Sequence, residues 1–95
     1  MDNEHAIQLM SALAQPTRLN VFDVLSQHRP AGLSVGDLAT RVGTPPNTMS
    51  AQLAILARAG VVAQKRDGRS VSYSLVPDAV ERLAAYLLTR VRDEN

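Results

Sequence analysis

The sequence predicts a mainly α-helical domain with one small β-hairpin, and three observations support this prediction. Apolar residues recur at helical spacing along most of the chain, Gly and Pro divide it into five such stretches, and an alternating stretch follows Asp67-Gly68. The chain has 95 residues, which suits a single domain over 1–95. Only 3% of the residues are aromatic, so the core must consist mostly of aliphatic side chains from packed helices.

The first two helices are predicted on either side of the Gln15-Pro16 break. Residues 4–14 form the first, and its apolar residues at helical spacing are Ile7, Met10, Leu13 and Ala14. Pro16 suits the first position of the second helix, which we expect to extend to about His28. The apolar stripe of that helix consists of Leu19, Phe22 and Leu25, broadened by Val21 and Val24. A helix this apolar is expected to be buried on more than one side.

Two shorter predicted helices are separated by a turn at Gly43. Ser34 and Asp37 have the spacing of a capping box, so a helix is expected to begin there. Thr44 is the expected cap of the next helix and Pro45 its first residue. In that helix the residues expected in the core are Met49, Leu53 and Leu56. The opposite face of its N-terminal half presents Pro46, Asn47, Ser50 and Ala51, and its expected left-handed end is Gly60.

A β-hairpin is predicted around Asp67-Gly68, because this dipeptide is strongly favoured in two-residue turns. With Arg66 opposite Arg69, the register pairs Val62 with Tyr73 and Gln64 with Val71. Apolar residues alternate with serines in the second strand, so one face is expected to be apolar and the other wet. Two arginines beside the turn repel each other unless an anion lies nearby.

The last helix is expected to open at Pro77-Asp78 and to carry a long apolar stripe. The apolar stripes of the first and last helices together exceed what one small core can bury. A second copy of the chain is therefore expected to pack against them. The expected dimer contacts are Ile7, Met10, Leu13, Val80, Leu83, Ala84, Leu87, Leu88 and Val91.

Helix, turn, helix and hairpin follow one another in the order of a winged helix-turn-helix. The predicted fold therefore has five helices and a two-stranded wing, and it is dimeric. The predicted segments are the helix-turn-helix at 34–60, the wing at 61–76, and dimerisation helices at 1–14 and 77–92.

The charge distribution favours a nucleic-acid partner for the middle of the chain. The net charge is +1, but residues 31–76 carry five basic and two acidic side chains, whereas each flanking segment carries a net charge of −1. This basic excess falls where phosphate contacts would be needed, although solvated surface charge alone can produce the same pattern. The expected DNA contacts are Pro46, Asn47, Thr48, Ser50, Ala51, Gln52, Arg58, Lys65, Arg66 and Arg69.

Other ionisable residues have simpler interpretations. Arg18 lies early in a buried helix, so an internal ion pair or a cap is expected rather than a DNA contact. His28 is expected to interact with the end of a helix dipole. His5 with Asp2 and Glu4 could supply hard-metal ligands, but we expect no metal site.

Several classes of protein are excluded or disfavoured by the composition. The absence of Cys excludes disulfides and thiolate metal sites, and it fits a cytoplasmic location. No apolar run approaches the roughly 20 residues that a membrane span needs, so no membrane partner is expected. No phosphate-binding loop, Cys nucleophile or His-centred proton relay is present, so we expect neither an enzyme nor a cofactor.

In the order and sequence of its segments the chain resembles the ArsR/SmtB family of bacterial winged helix-turn-helix regulators. The matching runs are Ala12–Leu19, Leu33–Ala39, Asn47–Leu53, Leu56–Val62 and Asp67–Leu75. The resemblance implies a homodimer joined through the first and last helices, a recognition helix in the major groove, and a wing over phosphates or the minor groove. It also implies a repressor that binds an inverted-repeat operator and is released by a ligand. For this chain the inducer stays open between an unidentified small molecule, an effect of pH or salt, and no ligand at all. The alternative is a winged-helix module for protein contacts that does not read DNA sequence.

The chain departs from the family pattern at its sensing sites and in its recognition helix. Members that sense soft metals carry a Cys-Val-Cys motif where this chain has Ser34 and Gly36, and members that bind zinc in the last helix carry a His where it has Val80. Family members often present Gln and a basic residue at the positions of Pro46 and Ala51, and His at the position of Gln52. Affinity for DNA is therefore expected to depend mainly on the basic side chains of the wing.

Overall fold

The computed structural model describes residues 1–92, which form five helices and one antiparallel hairpin. The helices and strands are α1 (Asn3–Leu13), α2 (Pro16–Ser26), α3 (Val35–Val42), α4 (Pro46–Arg58), β1 (Val62–Asp67), β2 (Ser70–Leu75) and α5 (Pro77–Arg92). This is the winged helix-turn-helix that the sequence predicts. Residues 93–95, the end of the predicted domain, lie outside the described part. Within that part no helix combines the length and hydropathy required to cross a bilayer.

The helix starts follow the predicted capping chemistry, with one correction. The Ser34 hydroxyl accepts a hydrogen bond from the amide of Asp37 at 3.1 Å, as the capping box predicts. The prediction that Thr44 caps α4 is wrong: the cap position is Pro45, which has ψ 146°, and no side chain caps the helix there. A residue that precedes proline is disfavoured in the helical region, so Pro45 stays extended and the helix starts one residue later, at Pro46.

The core is aliphatic, and the inward faces of α1 and α5 each combine alanine with one leucine. The fully or nearly fully buried residues of these two helices are Ala6, Leu9, Ala12, Ala79 and Leu83. Met49, Leu53 and Leu56 of α4 are 0% exposed, as predicted. Small alanines let α1 approach the other helices closely, which leaves larger side chains such as Ile7 outside, 58% exposed.

The predicted stripe of α2 is partly wrong. Val21 and Leu25 are buried, but Leu19 is 47% exposed, and Phe22 and Val24 are half-buried. Because α2 carries apolar and polar residues intermixed around its circumference, its periodicity does not indicate which side faces the core. His28 follows the helix, and its Nδ1 donates to the carbonyl of Val24 at 2.9 Å, so it interacts with the end of the helix as predicted.

The predicted hairpin register is wrong by one position on each strand. Asp67 pairs with Ser70, so the two-residue turn is Gly68-Arg69, and the pairs along the strands include Gln64 with Tyr73 and Val62 with Leu75. Gly68 has φ +63°, and among residues 1–92 only glycines have a positive φ. Positive φ at the first turn position alone is the type II′ requirement, whereas Asp67-Gly68 would need it at both positions of a type I′ turn. The two arginines are therefore not directly opposed.

A contact absent from the sequence prediction fixes the hairpin to the helical body. Leu33, in the loop before α3, pairs with Tyr73 of β2 through two backbone hydrogen bonds of 3.0 and 2.8 Å. Gly32 precedes it with φ +80° and lies so close to Tyr73 that a Cβ atom would be 2.1 Å from the Tyr73 carbonyl oxygen. The base of the hairpin is thus held by backbone contacts that only glycine at position 32 permits.

Candidate nucleic-acid interface

The exposed face of α4 is small and uncharged over its N-terminal half. Pro46, Asn47, Thr48, Ser50 and Ala51 are all exposed, and they lie opposite the buried residues of the same helix. Gly43, in the left-handed conformation with φ +78°, ends α3 and turns the chain into α4. Hydroxyl and carboxamide groups on this face can donate to and accept from base edges.

Asn47 has a structural role as well as an exposed position. Its Oδ1 accepts a hydrogen bond from the amide of Thr48 at 2.9 Å, in place of a cap at Pro45. The Asn47 carboxamide nitrogen has no partner among residues 1–92 and can donate to a base or a phosphate. In the first turn of α4 the amide of Thr48 donates to Asn47 and that of Met49 to the carbonyl of Pro45, so the amide of Asn47 is the one left to add the positive end of the helix dipole on the same side.

Gln52 was predicted as a DNA contact, but its side chain is turned inward. It is half-buried, and its Oε1 accepts a hydrogen bond of 2.8 Å from Nη1 of Arg18. Arg18 also donates from Nε to the carbonyl of Ala12 at 2.6 Å, so it caps the C-terminal end of α1. Of the two alternatives predicted for Arg18, an internal ion pair or a cap, the structure contains the cap, and the second partner of the guanidinium is an amide.

The wing carries three exposed cations near its tip. Lys65, Arg66 and Arg69 are exposed, and so is the acidic Asp67 between them. Among residues 1–92 the one ion pair is Arg82 with Asp78, at 3.7 Å, so these three cations have no carboxylate partner within reach. Arg69 lies in the turn itself, while Lys65 and Arg66 point to opposite faces of β1.

Arg58 is not brought together with the other predicted DNA contacts. It occupies the last turn of α4, beside Gln8 and Ser11 of α1, and it lies eleven residues beyond Asn47. At a rise of about 1.5 Å per residue, this corresponds to roughly 16 Å along the helix. Arg58 is therefore at the far end of α4 from its exposed polar face.

A second surface is apolar and lies along α1 and α5. The exposed apolar residues on it are Ile7 (58%), Met10 (38%), Leu87 (42%), Leu88 (43%) and Val91 (78%), and Ala84 is also exposed. Leu13 and Val80 are half-buried, but Leu83 is only 8% exposed. Leu83 is a correction to the predicted dimer contacts, because it packs into the core of its own subunit.

The chain is similar to known helix-turn-helix proteins in both sequence and structure. A helix-turn-helix domain family matches residues 13–65. The transcriptional regulator NmtR of Mycobacterium tuberculosis is 40% identical over 86 residues, which is 87% of this chain and 69% of NmtR. The crystal structure of Rv0081 from the same organism is 37% identical with a TM-score of 0.68, covering 93% of this chain and 89% of that one.

One solved structure combines the family assignment with coverage of nearly the whole chain. The homodimeric winged helix-turn-helix domain of Mb0332 from Mycobacterium bovis, described as a possible ArsR-family transcriptional regulator, is 30% identical with a TM-score of 0.74. The match covers 96% of this chain and 81% of that one. The chain belongs to the ArsR/SmtB family.

The side chains considered as possible metal ligands, or standing at metal positions of the family pattern, form hydrogen bonds or an ion pair within this chain. Ser34 stands at the soft-metal position of the family pattern, and its hydroxyl caps α3. Asp78, at the start of α5, lies beside Arg82 in an exposed ion pair. Asp2 caps α1 through a 2.8 Å hydrogen bond from the amide of His5. Within residues 1–92 no three His, Cys, Asp or Glu side chains cluster in a way that could hold a metal ion.

Proposed function

We propose that this chain is a sequence-specific DNA-binding transcription repressor that binds an inverted repeat as a homodimer. The observation that carries the proposal is the cluster of three exposed, unpaired cations on the wing, whose base the pairing of Leu33 with Tyr73 fixes to the helical body, in a domain that also exposes a polar face on α4. Phosphate contacts from the wing would position the protein, and donors on α4 would distinguish base edges.

The dimer would use the apolar surface of α1 and α5. The backbone of α5 approaches that of α1 and no other helix or strand of the described chain. The radius of gyration of 14.3 Å exceeds the about 12 Å of a compact chain of this length, so the fold is extended as a single subunit. The proposed segments are therefore 1–14 and 77–92 for dimerisation, 34–60 for the helix-turn-helix and 61–76 for the wing.

The remaining properties of the proposal follow from this function. Such a protein would act in the cytoplasm, where the DNA is, and would not be an enzyme. An effector that releases DNA is part of the family pattern, and we propose a small organic molecule rather than a metal ion for this member. Its carboxylates and hydroxyls at the metal positions are already engaged in caps or an ion pair.

The salt dependence of DNA binding tests the role of the wing. Each phosphate contact releases counterions, so the logarithm of the association constant falls with the logarithm of the salt concentration, by about 0.9 per contact. Arg69→Ala is expected to lower this slope by about one per subunit and to leave the preferred sequence unchanged. The measurement is a fluorescence-anisotropy titration of a promoter fragment at several salt concentrations.

Arg29→Ala is the matched control for the wing variant. Arg29 is also an exposed arginine, but it lies beside Leu75 and Pro77 at the base of the hairpin. Strands of six residues put the tip roughly 20 Å away from that base. The control is expected to retain the slope of the unmodified protein. Binding that is undetectable, or that does not depend on salt, would contradict the proposed function.

A module for protein contacts is the second candidate function, and one observation favours it. The exposed residues on the N-terminal half of α4 carry no positive charge, and Gln52 is engaged by Arg18. The two functions differ in the effect of Asn47→Ala combined with Ser50→Ala. A DNA reader should lose at least about 30-fold in preference for its operator over unrelated DNA, because each good base contact is worth about 1–3 kcal/mol and two are removed. A protein module should retain its partner in a pull-down without nucleic acid.

A further inference from the structure

Arg18 joins three helices through one side chain. It lies in the first turn of α2, where its amide is held by Oε1 of Gln15 at 2.9 Å. Its guanidinium donates to the carbonyl of Ala12 in the last turn of α1 and to the carboxamide of Gln52 in the middle of α4. The side chain is half-buried, so water competes only partly for these two hydrogen bonds.

The chemistry of arginine makes this connection stiff. The guanidinium is planar and permanently charged, and its donors are fixed relative to one another, so two partners held at once also fix the relative position of their helices. Ala12 belongs to the last turn of α1, where carbonyls lack partners within the helix and the dipole is negative, so a cation is favoured there. The hydrogen bond to Gln52 is assisted by the same charge.

The partners of Arg18 connect the two surfaces of the proposed function. Ala12 lies on α1, which carries Ile7 and Met10 on the proposed dimer surface. Gln52 lies on α4, five residues beyond the exposed Asn47 and two beyond the exposed Ser50. A single cap of α1 would need only the Ala12 carbonyl, and a base reader would need a Gln52 side chain that is free to extend. The observed arrangement is more than a cap, because the guanidinium also holds Gln52, and it keeps the Gln52 side chain from extending toward a base.

We infer that Arg18 is a positioning residue that fixes the recognition helix α4 relative to the dimerisation helix α1. In the dimer this sets the distance between the two α4 helices, and therefore the separation of half-sites that the protein accepts. The inference rests on the proposed function. It adds that the contact of Arg18 with α1 and α4 determines which half-site separation the dimer prefers. Gln52 acts in this arrangement as the acceptor on α4 rather than as a base reader.

The experiment measures the preference for half-site separation. Selection from random duplex DNA with the unmodified dimer supplies an inverted repeat, and further duplexes lengthen or shorten its centre by one base pair. Each such change displaces the half-sites by about 3.4 Å and rotates them by about a tenth of a turn. The readout is the ratio of dissociation constants for altered and selected separation, so a general loss of affinity cancels.

Arg18→Met and Gln52→Leu are each expected to lower this ratio by about tenfold, the lower end of what a hydrogen bond to a charged group is worth. The double variant should lose no more than either single variant, because both remove the same connection. Gln52→Glu should retain the ratio, since a carboxylate still accepts from Arg18. The preferred bases within each half-site should remain the same in all of these variants.

Control variants distinguish a loss of helix positioning from a loss of folding, and both from a failure of the proposed function. Arg29→Met removes an exposed arginine and should retain the ratio. If Arg18→Met does not fold, Arg18→Lys and Gln52→Leu decide the matter, because an ammonium group cannot bridge both acceptors in the same plane. Ratios that match the unmodified protein in these variants, or a Gln52→Leu protein that changes base preference instead, would overturn the inference. Failure of the unmodified protein to select any inverted repeat would overturn the proposed function instead.

Discussion

Replacing Leu88 with glutamate is expected to convert the proposed dimer into monomers and to weaken operator binding by about 10²–10⁴-fold. Leu88 is 43% exposed on α5, and its neighbours on the same apolar surface are Leu87, Val91 and the exposed Ala84. A carboxylate buried in an apolar interface without a partner is strongly destabilising. Once the subunits separate, the second half-site no longer benefits from the effective concentration that the first provides, which accounts for the size of the loss.

Thr89→Glu is the matched control, since it adds the same charge one position further along the helix. Successive residues are about 100° apart around a helix, so Thr89 lies beyond the border of the apolar stripe, next to Leu88 on one side and to Met1 and Tyr86 on the other. Sedimentation equilibrium at micromolar concentration measures the association, and anisotropy measures operator affinity. The prediction fails if Leu88→Glu remains dimeric, or if both variants dissociate equally.

Gly32→Ala is expected to be the most destabilising of the glycine-to-alanine changes in the chain, and Gly43→Ala provides its comparison. Both glycines have nearly the same φ, +80° and +78°, so an alanine at either position is strained by about 1–3 kcal/mol. At Gly43 the added Cβ would meet nothing within 4 Å, whereas at Gly32 it would lie 2.1 Å from the carbonyl oxygen of Tyr73. That oxygen belongs to the backbone pairing with Leu33, so relief of the clash must disturb the base of the wing.

The difference between the two variants isolates the cost of the clash. We expect Gly32→Ala to lower the free energy of unfolding by at least about 2 kcal/mol more than Gly43→Ala, since the pairing with Leu33 supplies two hydrogen bonds. In a domain of this size this is a melting temperature lower by about 8–16 °C. Thermal unfolding must be compared at one protein concentration, because dimerisation contributes to stability. Equal melting temperatures for the two variants would contradict the prediction, because they would show that a Cβ atom at position 32 does not destabilise the contact with Tyr73.

The local signals in the sequence were sufficient for the elements of the fold. Proline at the start of α2, the hydroxyl of Ser34 three residues before Asp37, and left-handed glycines at 43 and 60 each act within one turn of chain, so their effects are readable from neighbours. Thr44 and the Asp67-Gly68 turn are the exceptions. In both cases a local preference competed with a second local constraint, a following proline or the alternative Gly68-Arg69 turn, and the sequence pattern did not rank the two.

The candidate interface could be predicted only in part for the same reason. Exposed positions on α4 and basic residues in the hairpin follow from periodicity and from the family resemblance. The engagement of Gln52 by Arg18 joins residues 34 positions apart in the sequence, and no periodic pattern links them. Arg58 belongs to the same basic segment of the sequence as the wing cations, but in the structure the length of α4 separates it from Asn47.

The sequence by itself determined the order of helices and hairpin, most of their caps, and the absence of thiolate chemistry. Tertiary structure alone decided which apolar side of α1, α2 and α5 is core, because these helices carry apolar residues on several sides and burial depends on what packs against them. It also decided that Leu33 and Gly32 hold the wing and that Arg18 connects α1 with α4. Those contacts depend on chain segments that meet only after folding, and they set the positions of the two surfaces on which the proposed function depends.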